Sequence, residues 1–594
     1  MQIPQRLTAL RQALETLGLD AVVVPSNDPH QSEYVADHWK SREWISGFTG
    51  SAGVAVVTKD AAGLWTDSRY YLQAEQELAG TGVTFFKAPQ SGSSPELDWL
   101  KEQLKPGSRV CFPGALLSGE SHGSVKAALE AGGLVLVTDA DPVAMAWSDR
   151  PALPMDEVFA HPVDLAGMTC SEKLEAVRKE LEGLGAEHLL LVSLDDIAWT
   201  FNLRGRDVDY NPVFYAYAWI SSGQAMLFIQ PGKVPDSVAT DLRTAGVELR
   251  DYGHLPAFLG SVKGKVSIDP LTVSYELLQS LGSEAVQVRG ASPTVLMKAK
   301  KNPTELAKLR HAMEKDGVAL LRLCMWLESN LGRGPSEHEV GQQLAAFRAE
   351  QPGYFGESFP AIAGYAGNGA IVHYRPAAEG SSILKPEGVF LLDSGGQYTD
   401  GTTDITRTFA LGPVPAEAVQ AYTLVLKGHI ALARAVFPVG TVGHQLDTLA
   451  RMHLWSHGLN YGHGTGHGVG FFLNVHEGPQ GIGPAANGRS RTPLQPGMIT
   501  SNEPGYYAAG QFGIRIENLV LCVEGPETGS GKFLRFESLS LFPISDDLID
   551  WGLITAEERE WLREYHQMVL DRISPLLNAG ELAWLQRKCQ PYLG

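Results

Sequence analysis

Two segments of this 594-residue chain carry the same apolar pattern. In the first, Leu7, Leu10, Leu14, Leu17 and Gly18 lead into Val22-Val23-Val24, then Ser26 and Asp28. In the second, Leu174, Val177, Leu181, Leu184 and Gly185 lead into Leu189-Leu190-Leu191, then Ser193 and Asp195, each 167 residues further on (174 − 7). Apolar residues three and four apart line one face of a helix, the glycine closes it, and the short apolar run fits a buried strand. Helix–glycine–strand is common in α/β proteins. At a constant offset it predicts two similar α/β domains in tandem, 1–150 and 156–300, and Asp149-Arg-Pro-Ala-Leu-Pro-Met155 is the linker.

At 594 residues the chain is too long for one hydrophobic core, and a second boundary falls near residue 300 in the polar stretch Lys298-Ala-Lys-Lys-Asn-Pro-Thr-Glu305, so 301–594 is expected to form a further domain. It opens with a helix start: Asn302 suits the N-cap and Pro303 the first helical position, with an amphipathic helix running to about Leu327. Short strand-like runs broken by glycine-rich turns follow, and a last helical segment covers 555–588.

The net charge of −19 argues against nucleic acid and anionic membranes as partners. With 44% hydrophobic residues and no apolar run near the ~20 needed to cross a bilayer, a globular protein is expected. The first twenty residues lack the basic end and apolar middle of a signal peptide. The five cysteines, Cys111, Cys170, Cys324, Cys522 and Cys589, form no CxxC pair. That suits a reducing compartment and argues against a thiolate zinc site.

Residues able to hold metal gather between His373 and Glu517. In the first context an apolar strand ends in Asp393, a turn follows at Asp400-Gly401, and a threonine-rich strand carries Asp404. Buried side by side, the two carboxylates would repel each other unless a cation lay between them. Taken singly, either acid also fits a turn. The second context is Gly462-His-Gly-Thr-Gly-His-Gly-Val-Gly470, with His476 following. Five glycines in nine residues exclude a helical HxxxH zinc motif, and the lysine of a phosphate-cradling loop is missing. In the third, a hairpin around Ala508-Ala-Gly510 carries Glu503 and Glu517 on opposing arms, with Pro504 making the strand irregular. Glu517 lies in an apolar strand and needs a partner; Arg515, two residues away on the same face, is one candidate. Four carboxylates and one imidazole suit manganese, magnesium, iron, zinc or cobalt. Paired metals about 3.5–4 Å apart are a recurrent hydrolase design.

The order of these motifs resembles the aminopeptidase P and prolidase branch of the "pita-bread" metallopeptidases. The matching pieces are Ile371-Val-His-Tyr-Arg-Pro376, Leu392-Asp-Ser-Gly395 with Asp404, His463-Gly-Thr-Gly-His-Gly468, Asn502-Glu-Pro-Gly505 and Gly513-Ile-Arg-Ile-Glu-Asn518. Ser26-Asn-Asp-Pro-His-Gln-Ser-Glu-Tyr34, Trp65-Thr-Asp-Ser-Arg-Tyr-Tyr-Leu72, Phe201-Asn-Leu-Arg-Gly205 and Asn211-Pro-Val-Phe214 extend the likeness to the three-domain, cytosolic type. The resemblance implies two creatinase-like α/β domains followed by a pita-bread catalytic domain. It implies that Asp393, Asp404, His467, Glu503 and Glu517 hold two divalent ions, usually manganese, with Asp404 and Glu517 bridging. Glu503 would shuttle a proton, and a hydroxide shared by the ions would attack an Xaa-Pro bond. His373, His463 and His476 would line the substrate site, with His476 nearest the scissile carbonyl. Arg515 would orient carboxylates, and Tyr507 and Arg69 would contact peptide. The family usually dimerises.

The resemblance leaves three other readings to weigh. A prolidase cleaves Xaa-Pro dipeptides and usually has one N-terminal domain; two such domains favour the aminopeptidase. Methionine aminopeptidase lacks so long an extension. Non-catalytic relatives of the fold have no need of a retained ligand set.

Overall fold

The computed structural model describes residues 1–88, 94–486 and 488–593. It divides into two compact units: Met1–Val163 with Met168–Val295, and Leu296–Gly594 with the short segment Asp164–Gly167.

The first unit contains two six-stranded sheets. One is built from β1 (Ala21–Pro25), β2 (Val54–Thr58), β3 (Ala62–Thr66), β4 (Thr84–Lys87), β5 (Arg109–Cys111) and β6 (Val135–Val137), in the order β4-β3-β2-β1-β5-β6. The other is built from β7 (His188–Leu191), β8 (Ala216–Ser221), β9 (Ala225–Ile229), β10 (Val247–Asp251), β11 (Gly264–Ile268) and β12 (Ala285–Arg289), in the order β10-β9-β8-β7-β11-β12. In both, the central hairpins are antiparallel and the outer pairs parallel. The repeat seen in the sequence is thus a repeat of topology. Helix α1 (Ile3–Thr16) precedes β1 and helix α2 (Cys170–Leu184) precedes β7. Each ends on a glycine with φ +64°, Gly18 and Gly185, a conformation that favours glycine because it lacks a Cβ. The next N–H then reaches back into the last turn, Leu19 to the Leu14 carbonyl and Ala186 to the Leu181 carbonyl, at 2.8 and 3.0 Å.

The second unit opens with helix α3 (Pro303–Asn330). Asn302 caps it, accepting from the Glu305 N–H at 3.0 Å while Glu305 accepts from the Asn302 N–H. Leu309, Leu320, Leu323 and Leu327 on its buried face join the core. Behind it β13 (Ile362–Tyr365), β14 (Val389–Ser394) and β15 (Ile405–Ala410) form an antiparallel sheet. A six-stranded sheet holds β16 (Val436–Pro438), β17 (Gly466–Gly468), β18 (Glu477–Ile482), β19 (Ile499–Asn502), β22 (Asn518–Thr528) and β23 (Gly531–Ser538), in the order β16-β23-β22-β19-β17-β18. The hairpin β20 (Gly505–Ala508) and β21 (Phe512–Arg515) lies between β19 and β22 along the chain. Helices α4 (Ala416–Ala433) and α5 (Gly443–Trp455) pack on each other. This is the pita-bread fold.

The single terminal helix expected over 555–588 is two helices, α6 (Ala556–Ile573) and α7 (Ala579–Leu593). Between them Pro575 has no N–H to offer, and the Asn578 side chain caps the new start by accepting from the Gly580 and Glu581 N–H groups, both at 3.0 Å.

Candidate metal centre

Sheet register brings the carboxylates together. Asp393, near the end of β14, is paired directly with Thr406 on β15. Asp404, two residues before Thr406, therefore emerges on the same side. Asn502 pairs with Asn518 at the end of the β19–β22 ladder, and Gly505 pairs with Arg515 where the hairpin begins. Glu503 and Glu517 sit in the gap between these two ladders. Their main chains turn to other strands there. The Glu503 N–H donates to the Thr465 carbonyl at 2.8 Å and the Glu517 N–H to the Thr406 carbonyl at 3.1 Å. Pro504 interrupts the strand as expected, and the break is what aims both carboxylates at one point.

His467 enters from β17. Its Nδ1 lies 3.0 Å from the Gly468 carbonyl, which leaves Nε2 facing Asp404 Oδ2 and Glu503 Oε1, both at 3.5 Å. Asp404, His467 and Glu517 each offer a ligand atom within 4.8 Å of the others. The glycines flanking His467 are required: a Cβ on Gly466 would collide with the Ser501 carbonyl, and one on Gly468 with that of Glu477.

The electrostatics are those of a cation site. Burial, then repulsion from Asp393 and Glu503, pushes the Asp404 carboxyl well above the usual carboxylate range. Burial, then repulsion from Asp404, Asp393 and Glu503, does the same to Glu517. Thr406 Oγ1 donates to Glu517 Oε2 at 2.7 Å. Arg515 is a cation within this group, and its Nη2 donates to Asp393 Oδ2 at 2.6 Å. Asp393 Oδ1 is buried and accepts no hydrogen bond. Four carboxylates against one guanidinium, a carboxylate oxygen without a donor and an imidazole nitrogen turned inward fit divalent cations.

Of the other expected residues, His463, Tyr507 and Arg515 are linked to one another, and His476 packs on His467. Arg515 Nη1 donates to the Tyr507 hydroxyl at 2.6 Å, and that hydroxyl lies 2.7 Å from His463 Nε2. Burial raises the Tyr507 phenol to about 12, so it keeps its proton at neutral pH. Arg515 Nη2 also reaches the Val372 carbonyl at 3.3 Å, fastening the segment that carries the half-buried His373. The His476 ring packs edge-on against His467, centroids 4.3 Å apart. Arg69 belongs to the first unit, where its guanidinium is held by Asp67 at 2.7 Å and lies over the Tyr70 ring.

The alternative pairing of Glu517 with Arg515 does not form; Arg515 serves Asp393 and Tyr507. Alternation would put 515 and 517 on one face of a continuous strand, but the strand breaks between Arg515 and Asn518. Thr406 and Ser501 also support the centre, Thr406 through Glu517 and Ser501 through His467 and Glu503. Ser501 Oγ accepts from the His467 N–H at 3.0 Å and lies 3.2 Å from Glu503 Oε1. The spacing of Thr406, two residues after Asp404 and on the strand that follows it, is a local signal for such a role; Ser501 has none.

Residues 307–524 match the family described as metallopeptidase family M24, and 532–592 match the C-terminal region of these peptidases. Residues 6–145 and 149–305 each match a creatinase/prolidase N-terminal domain. Aminopeptidase P2 of Arabidopsis thaliana is 39% identical over 99% of this chain and 88% of its own length. The chain belongs to the aminopeptidase P family. A protein of Laccaria bicolor named probable Xaa-Pro aminopeptidase P is 40% identical over 99% of this chain and 93% of its own. The crystal structure of an X-prolyl aminopeptidase from Caenorhabditis elegans, a cytosolic enzyme with a di-nuclear active site, superposes with a TM-score of 0.94. It has 35% identity and covers 99% of both chains. Family and fold therefore agree over the whole length, including both N-terminal domains.

Proposed function

We propose that this chain is an Xaa-Pro aminopeptidase that removes the N-terminal residue from peptides with proline in second position. The observation that carries the reading is the convergence of Asp393, Asp404, His467, Glu503 and Glu517 in a chain similar from end to end to proteins of that name. These five residues would hold two divalent ions, manganese being the ion usual in the family, with Asp404 and Glu517 shared between them. Such ions lower the pKa of bound water and polarise the substrate carbonyl.

The protein's own residues complete the chemistry. The bond before proline is a tertiary amide without an N–H, so the substrate cannot be held through that donor. The departing proline nitrogen must gain a proton, and Glu503, half-buried at the edge of the cluster, would take one from water and pass it on. His476, packed on His467, would hydrogen-bond the carbonyl oxygen more strongly as it gains charge. His373 and His463 line the substrate side, Tyr507 and Arg515 orient them, and Arg69 would hold the extended peptide. The free α-amine is attracted to the carboxylates, which restricts cleavage to the first residue. The five cysteines are all free, and no described helix is long and apolar enough to cross a membrane. A cytoplasmic homodimer that uses neither nucleic acid nor membrane is the assembly this reading implies.

Manganese-loaded protein assayed on Xaa-Pro-Xaa, Xaa-Ala-Xaa and Xaa-Pro peptides tests the reading. The tripeptide with proline should have the highest kcat/KM. A preference for the dipeptide would favour a prolidase, and efficient cleavage of the alanine peptide would remove both.

A further inference from the structure

The second half of the histidine segment, Gly466–Gly468, is held in the sheet as β17, while Tyr461, His463 and the Thr465 side chain lie ahead of that strand. Between Gly462 and Gly470 every other residue is glycine, the residue with most backbone freedom to lose on folding. Yet three groups of the metal centre depend on this loop. His463 and His467 lie in it, and the Glu503 main chain hangs from the Thr465 carbonyl.

Helix α5 adds a restraint on the stretch ahead of β17. Asp447 and Arg451, four residues apart on one face, are each 1% exposed and paired through Arg451 Nε and Asp447 Oδ2 at 2.6 Å. The pair does more than neutralise itself. Arg451 Nη1 donates to the Tyr461 carbonyl at 2.8 Å and to Asn460 Oδ1 at 3.2 Å, and Nη2 donates to the His463 carbonyl at 2.7 Å. Its guanidinium carbon lies 3.8 Å from the centroid of the Tyr461 ring. On the other side, Asp447 Oδ1 accepts from Thr465 Oγ1 at 2.6 Å, so the Tyr461 hydroxyl, also 2.6 Å away, donates to Thr465. Residues 461, 463 and 465 are therefore each fastened to one ion pair, in a stretch where 462, 464 and 466 are glycine.

A buried ion pair is weak evidence for stability, because desolvation consumes most of the attraction. Its planar, five-donor geometry does fix directions in space, which a lysine or an apolar residue would not. We propose that Arg451, Asp447 and Thr465 are positioning residues for the reaction: Arg451 sets where His463 stands, and Asp447 acting through Thr465 sets His467 and Glu503. This rests on the functional reading given above. None of the three touches the reacting atoms. They act through the loop's main chain.

The two arms of the clamp predict different losses. Arg451→Lys keeps a cation beside Asp447, but one ammonium cannot reach Asp447 and both carbonyls at once. On an Xaa-Pro-Xaa peptide it should lower kcat/KM about ten-fold. In a His463→Ala background the same change should cost less than about two-fold, because the group it positions is gone. Thr465→Val removes the hydroxyl while keeping the shape. It should weaken Mn²⁺ binding about ten-fold by calorimetry, and Thr465→Ser should restore it. An equal Arg451→Lys loss in both backgrounds would reduce the pair to scaffold and overturn the proposal. So would Mn²⁺ binding by Thr465→Val at the wild-type level. If Arg451→Lys is not recovered folded, the Thr465 pair decides alone. A wild-type protein inactive on these peptides would sink the functional reading, while the Mn²⁺ titrations would still judge the clamp.

Discussion

Asp404 has the most to lose by substitution. Its carboxyl faces His467 Nε2 and is pushed toward its neutral form by burial first, then by Asp393 and Glu503. In the proposed centre it serves both ions, so Asp404→Asn should remove both rather than one. Elemental analysis of wild-type protein should find two ions per chain and of the variant close to none, with hydrolysis lost. A variant that keeps one tightly held ion would mean that Asp404 does not bridge. Arg515 illustrates the same economy of placement. One guanidinium holds Asp393, Tyr507 and the Val372 carbonyl, so the carboxylate cluster and the loop bearing His373 are tied to one rigid fork.

At the scale of elements, close approach and buried histidines hold the centre. A Cβ on Gly513 would collide with the Gly369 carbonyl, so the hairpin that ends in Arg515 can lie against the 366–370 turn only with glycine there. His429 on α4 joins the ends of β19 and β22. Its Nδ1 lies 3.1 Å from the Asn502 carbonyl and its Nε2 3.4 Å from Asn518 Nδ2, next to Glu503 and Glu517. On α6, His566 Nδ1 lies 2.7 Å from the Leu562 carbonyl, and its Nε2 accepts from the Ile544 N–H at 3.1 Å. Both rings therefore bond as neutral imidazoles. Burial, helped by the Arg407 guanidinium, lowers each to about 3. Unfolded histidine takes up a proton near pH 6.5. Between about 6.5 and about 3 the unfolded chain binds more protons, so stability falls as pH falls through that window. From about pH 6.5 to 5 each histidine should cost about 2 kcal/mol. Urea unfolding of His566→Leu, whatever its stability at neutral pH, should show a shallower decline than wild type over that window. Parallel curves would mean that His566 takes up its proton as readily in the fold as in the unfolded chain.

The whole molecule joins two units of different work. The second holds the carboxylate centre; the first repeats one sheet topology twice. Within the first, the two sheets' domains share a buried cluster. His30 Nδ1 lies 2.7 Å from the Val192 carbonyl, the ring stacks on Tyr217, and the Tyr215 hydroxyl donates to Asp28 at 2.8 Å. The proposed peptidase assigns this unit a part in holding longer substrates through Arg69. Arg69→Ala should then lower kcat/KM for tripeptides and longer peptides about ten-fold while changing the dipeptide little. Equal losses on both would point to the Asp67–Arg69 pair as a local brace. Sedimentation of the intact chain checks the expected dimer.

Periodicity, glycine placement and caps are local properties, and they made the two α/β repeats, the start of α3 at Asn302 and the irregular strand at Pro504 legible in the sequence. The order of motifs made the family legible, and with it the residues that converge between Asp393 and Glu517. What stayed hidden depends on partners distant in sequence. The gap between two ladders takes Glu517 away from Arg515 and turns that guanidinium to Asp393, 122 residues back. Thr406 reaches Glu517 across 111 residues, and Arg451 reaches its carbonyls only because a separate helix packs against the loop. Such contacts follow from sheet register and helix packing, which no local pattern encodes: a side chain's chemistry is written at its own position, and its partner is set by where the rest of the chain comes to rest.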